Sequence, residues 1–130
     1  MISLDTNVLV RLLTGDDRRQ MAAAVKLIDA HPCFVPLSVA LELEWVLRGA
    51  YGLDRGAISK LYDGLLSAIN LHFEAESILL AAVRLYKEGL DFADALHLSS
   101  SFDCDTFYTF DKKFLSRSAG LKPPCRLPEP

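Results

Sequence analysis

The chain predicts one α/β domain with parallel strands, and three observations lead there. Short apolar runs, several rich in β-branched and aromatic residues, alternate with longer segments of helical periodicity. Glycine, proline or a capping acid stands at most junctions between them. At 130 residues and 51% hydrophobic content, the chain suffices for one full core.

The elements follow in order. Met1–Leu4 reads as a short buried strand and Val8–Leu13 as the start of a helix. The turn Gly15-Asp16-Asp17 precedes a helix over 18–30, with Met21, Ala24, Val25 and Ile28 on one stripe. Pro32 breaks it, and Cys33-Phe34-Val35 forms the next strand. Ser38 is expected to cap a helix running to Ala50, whose core stripe is Val39, Leu43, Val46, Leu47 and Ala50. After the break at Gly52, a helix over 55–69 carries Ile58, Leu61, Leu65 and Ile69 at helical spacing. Leu71-His72-Phe73 is a third strand, and a helix over 75–88 shows Ile78, Ala82, Leu85 and Tyr86. Gly89 ends that helix, and Asp91 opens a mostly apolar, largely buried helix to Ser101. Thr106–Thr109 has strand composition, and Asp111–Ser116 a short helix. The proline-rich tail over 122–130 is expected to be irregular, leaving 1–121 as the domain. Strands alternating with helices imply a parallel sheet covered on both faces.

Composition narrows the function classes. No apolar run reaches the roughly 18 residues of a membrane span. The opening Met1-Ile2-Ser3-Leu4-Asp5 lacks a basic region and meets an acid at once, unlike a secretory leader, so a cytoplasmic protein is expected. Cys33, Cys104 and Cys125 are far apart and odd in number, which suggests neither a disulfide framework nor a CxxC zinc site. The net charge of −3 argues mildly against a nucleic-acid binder. A metal neutralising four of the 17 acids would bring the chain close to balance against its 14 bases.

Four acids carry the chemistry: Asp5, Glu42, Asp94 and Asp111. Each lies at the end of an apolar run or inside one, where an unpaired carboxylate is costly. Ligands of an open parallel sheet bind beyond the carboxyl ends of its strands. Asp5 and Asp111 follow predicted strands, while Glu42 and Asp94 lie near the starts of predicted helices. One cation would explain all four. Helix capping is the plainer account of Asp5 and Asp111, and Asp91-Phe92-Ala93-Asp94 resembles a capping box. Capping does not serve Glu42, which falls on the border of its core stripe. Glu44 is four residues before Arg48 and reads as an ordinary surface ion pair. Thr6, Asn7, Ser38 and Thr109 stand next to the proposed ligands, either to hold them by hydrogen bonds or as local turn chemistry. His97 has no second histidine at zinc spacing. Arg11, Arg18, Arg19, Arg48, Lys112, Lys113 and Arg117 are candidate phosphate contacts, or simply solvated surface.

Four segments in this order resemble the PIN-domain ribonucleases, and among them VapC-type toxins of toxin–antitoxin pairs. They are Leu4-Asp5-Thr6-Asn7-Val8-Leu9, Leu41-Glu42-Leu43-Glu44-Trp45-Val46-Leu47-Arg48, Asp91-Phe92-Ala93-Asp94-Ala95-Leu96-His97 and Thr109-Phe110-Asp111. The resemblance covers nearly the whole chain. It implies a three-layer α/β/α sandwich with Mg²⁺ or Mn²⁺ held at Asp5, Glu42, Asp94 and Asp111. It also implies an RNA substrate, a homodimer and a cognate antitoxin.

An all-acid site suits Mg²⁺ or Mn²⁺ better than zinc. Hydrolysis by a metal-activated water would leave a 5′-phosphate and a 3′-hydroxyl. The main alternative is a catalytically inactive PIN-like module that binds RNA or a partner peptide. A phosphatase of the haloacid dehalogenase type ranks lower, because it needs an aspartate where this chain has Asn7.

Overall fold

Each strand in the first half of the chain is joined to the next by a pair of helices, which is the connection that parallel pairing requires. In a computed structural model describing every residue from Met1 to Pro130, the chain divides into two compact units, Met1–Glu76 and Ser77–Pro130. The first contains β1 (Ile2–Ser3), α1 (Thr6–Thr14), α2 (Arg18–Ala30), β2 (Cys33–Val35), α3 (Leu37–Gly49), α4 (Arg55–Ser67) and β3 (Leu71–Phe73). Its sheet has the order β1-β2-β3, all parallel, with Ile2 beside Cys33 and Cys33 beside Leu71.

This register sends Cys33, Val35, Leu71 and Phe73 to one face, where all are buried. Ser3, Phe34 and His72 share the other face, and there Ser3 and His72 are exposed. Right-handed crossovers that both step the same way across a sheet lay their helices on the same face, which accounts for the alternation. Helix α1 packs against α2 and α3, α3 against α4, and α4 against β3. Leu9, Leu43, Leu47, Ile58 and Tyr62 are fully buried. The Tyr62 hydroxyl donates to the Ala40 carbonyl, so a phenol sits in this core with its polar end satisfied. Tyr62→Phe is expected to lower the unfolding free energy by about 1 kcal/mol, read from urea denaturation.

The second unit contains α5 (Glu76–Lys87) from Ser77 onward, α6 (Phe92–Ser100), β4 (Phe107–Tyr108), α7 (Lys112–Arg117) and β5 (Cys125–Arg126). Strands β4 and β5 pair in parallel. Leu79, Phe92 and Leu98 are fully buried, and Tyr86 meets Phe92 edge-on at 5.3 Å. Phe107 stacks on Phe114 at 5.1 Å, which fastens β4 to α7.

Several local expectations change. On α2 only Ala24 and Ile28 are buried, and Met21 and Val25 face solvent. Ser38 does not cap α3. Pro36 holds that position without a side-chain bond, and the Glu74 carboxylate accepts from the Leu37 amide at 2.8 Å instead. Helix α4 stops at Ser67, and Ile69 is 91% exposed. The buried face of α5 is Leu79, Ala82, Val83 and Tyr86, so Ile78 and Leu85 lie at its margin. The tail is not wholly irregular, because Cys125–Arg126 forms β5.

Candidate active site

Strand β1 ends directly in the first acid. Asp5 is extended (φ −81°, ψ 161°), and its Oδ1 accepts from the Thr6 amide at 2.8 Å, so it does cap α1. The cap engages one oxygen and leaves Oδ2. Thr6 beside it is buried, and its Oγ1 has no hydrogen-bond partner within the protein. Burying a hydroxyl in that state costs about 1–3 kcal/mol. Asn7 is exposed and, with Val8, Arg11 and Gln20, lines a groove of about 250 Å³ between α1 and α2.

Helix α3 separates the two glutamates of its Leu-Glu-Leu-Glu run. Glu42 is exposed. Glu44, expected on a solvated face, is instead buried at 3% exposure. Its carboxylate accepts from Arg48 Nε at 2.9 Å, one turn further along. A carboxylate shielded from solvent and held by a guanidinium is a poor metal ligand. Trp45 is 66% exposed. The 100° step between successive helical residues turns Glu44 inward with Leu43 and Leu47, and Glu42 and Trp45 outward.

In the second unit, Asp91 caps α6 by accepting from the Asp94 amide at 3.2 Å. Asp94 in the first turn is partly buried, and burial is the main cause that raises its carboxyl above the usual range. Repulsion from Asp91 and Asp111 raises it further, and His97 and Arg117 partly offset this. Asp111 is exposed, and its Oδ1 accepts from the Lys113 and Phe114 amides, capping α7. The Thr109 hydroxyl accepts from the Asp111 amide at 3.0 Å and fixes the turn that presents it. His97 is exposed.

Of the four acids, Asp5 and Glu42 lie in the first unit and Asp94 and Asp111 in the second. Nowhere in the chain do three or more His, Cys, Asp or Glu side chains form a group arranged to hold a metal ion.

Sequence reasoning missed one polar network altogether. Arg11, nominated for phosphate, is engaged elsewhere: its Nη1 bonds Asp16 at 3.1 Å and Tyr51 at 3.0 Å, and its Nε bonds Gln20 at 2.6 Å. The Tyr51 hydroxyl in turn donates to Asp16 at 2.7 Å, the leading cause that lowers the Asp16 carboxyl. Arg48 is likewise held by Glu44. Nothing in the sequence couples positions 11, 16 and 51. Arg18, Arg19, Lys112 and Lys113 remain exposed.

A family model described as PIN domain matches residues 2–120. The chain belongs to the PIN-domain family. The α/β class with parallel strands that the sequence predicts is the fold of this PIN domain. Membership points to a nuclease-type function with RNA as the bound substrate, and nucleases of this family generally use divalent metals. No curated protein matches the chain. No helix of this PIN domain is long and apolar enough to cross a membrane.

The donors present fit such a cation. They are carboxylate oxygens, the ligands of Mg²⁺ and Mn²⁺. Positive charge near Asp94 would offset the repulsion from Asp91 and Asp111.

Proposed function

We propose that this PIN domain is an endoribonuclease dependent on Mg²⁺ or Mn²⁺, and that Asp5, Glu42, Asp94 and Asp111 are its metal-holding and catalytic residues. What supports the reading is membership of the PIN-domain family over residues 2–120, together with four acids of the donor type that Mg²⁺ and Mn²⁺ take. The Asp94 carboxyl is raised first by burial and then by Asp91 and Asp111, and a bound cation would favour its charged form. When bound, the cation supplies an activated water and charge to balance the scissile phosphate. The chain's own parts do the positioning. Asp5 and Asp111 each engage Oδ1 in a helix cap, which restrains the carboxylate and leaves Oδ2 outside the cap. Thr109 fixes the Asp111 turn, and Lys112 and Lys113 follow it as exposed phosphate contacts.

The finer reading is a toxin of a type II toxin–antitoxin pair, cytoplasmic, dimeric and restrained by its cognate antitoxin. The toxin role, the dimer and the antitoxin rest on the four-segment resemblance alone. Residues 1–121 are proposed as one domain, followed by the tail over 122–130.

Incubation of total RNA with the purified protein tests the activity. Cutting is expected with Mg²⁺ or Mn²⁺ and should stop with EDTA, leaving 5′-phosphate ends. Recovery of 2′,3′-cyclic phosphates would refute the metal-water route. Intact RNA together with no metal binding would make the chain a non-catalytic binding module.

A further inference from the structure

The pairing of β4 with β5 sets an aromatic ring beside a guanidinium on the approach to Asp111. Tyr108 and Arg126 are direct neighbours across the two parallel strands, and the Thr109 amide donates to the Arg126 carbonyl at 3.0 Å. Neighbours in register project to the same side of a sheet, with backbones about 4.8 Å apart. Phe107 is turned inward onto Phe114, so Tyr108 is turned outward, 61% exposed. In the bend that follows β4, Phe110 is 77% exposed and immediately precedes Asp111. An open groove of about 670 Å³ lies against the Tyr108 ring, walled by Arg126, Leu127, Pro128 and Glu129. All four wall residues come from the tail, beyond the part of the chain that matches the family model.

Building on the RNA-cleaving reading above, we propose that this groove is a base-stacking subsite that holds an unpaired nucleotide of the RNA on the Tyr108 ring, with Arg126 on its phosphate. The chemistry selects this occupant. Exposed aromatic faces interleaved with cations suit single-stranded nucleic acid, because every base has a π-face and every linkage a charge. An aliphatic patch would suit a protein partner better, and the groove offers only Leu127 and Pro128 of that kind. In a chain of net charge −3, the run from Tyr108 to Lys113 and the facing Arg126 concentrate cations beside one of the proposed catalytic acids. Tyr108 lies three residues before Asp111, at most about 10 Å of extended chain, so one short RNA segment can touch both. Glu129 repels phosphate, which confines the backbone to the Arg126 side.

Fluorescence anisotropy with a short fluorescein-labelled single-stranded RNA, in EDTA to prevent cutting, separates binding from cleavage. Tyr108→Leu is expected to weaken binding roughly tenfold, and Tyr108→Trp to restore it, since stacking needs a ring and tolerates a larger one. Arg126→Ala should also weaken binding and lower its salt dependence by about one phosphate. A duplex of the same sequence keeps its bases stacked, so its affinity should not respond to Tyr108→Leu. Unfolding midpoints should match the parent in all three variants. The subsite is overturned if single-stranded RNA does not bind, if Tyr108→Leu binds as well as the parent, or if Tyr108→Trp is equally weakened. RNA cutting by a protein whose binding ignores Tyr108 would remove the subsite and leave the nuclease. Tyr108-dependent binding without any cutting would do the reverse.

Discussion

An Asp94→Asn variant is expected to cut RNA roughly a hundredfold or more slowly than the parent, while its metal-free form melts at a higher temperature near neutral pH. The loss exceeds what changes to a ligand's supporting neighbours usually bring, about 10–100-fold, because a proposed ligand itself is lost. The gain in stability follows from the raised Asp94 carboxyl, caused by burial and by Asp91 and Asp111. A group whose folded pKa lies above its unfolded one favours the fold most when protonated. That contribution is complete below the unfolded value of about 3.9 and disappears as pH rises through the folded value. At neutral pH the parent therefore carries a repulsion that asparagine lacks. Asp94 is only partly buried, so the gain is expected to be below about 1 kcal/mol and to vanish in acid. Adding Mg²⁺ should reverse the order, because a ligand stabilises only the protein that binds it. Asp5→Ala provides the contrast. It should lose cleavage to a similar degree, yet lose about 1 kcal/mol of stability as well, since Asp5 also caps α1. If Asp94→Asn unfolds the protein, Asp94 is structural and the site reading falls.

The second large effect is expected on α3, where two nearby changes should act on different properties. Glu42→Gln should leave the unfolding midpoint nearly unchanged, because Glu42 is exposed, and should abolish most metal-dependent cutting. Arg48→Ala should destabilise the fold by about 1–3 kcal/mol, because it withdraws a guanidinium from the buried Glu44 carboxylate. Arg48 is half exposed, at 52% of its side chain, which keeps the effect below that of breaking a fully buried pair. Activity per folded molecule should survive in Arg48→Ala. Denaturation and cleavage measured on both variants decide the matter. Glu42→Gln with full activity would remove Glu42 from the site.

The sequence by itself determined the order and extent of most elements, because the signals that start and stop them are local. Asp17 bonds the Gln20 amide, Asp54 the Ala57 amide and Asp91 the Asp94 amide, each within three residues of itself. Apolar spacing likewise located all three strands of the first sheet and the buried helix after Asp91. The four acids stood out for the same reason, as charges set at the ends of apolar runs.

Only the tertiary structure decided which way the helices turn. Glu42 and Glu44 are two residues apart on one helix, and the packing of α3 against α1 and α4 chooses which points inward. The same dependence exposed Trp45, Met21 and Val25. Strand β5 needs β4 as its partner, the α3 start takes its cap from Glu74 beyond the next strand, and Arg11 finds Tyr51 forty residues away. A local pattern carries no record of a partner that distant, because the bond exists only once folding has brought the two ends together.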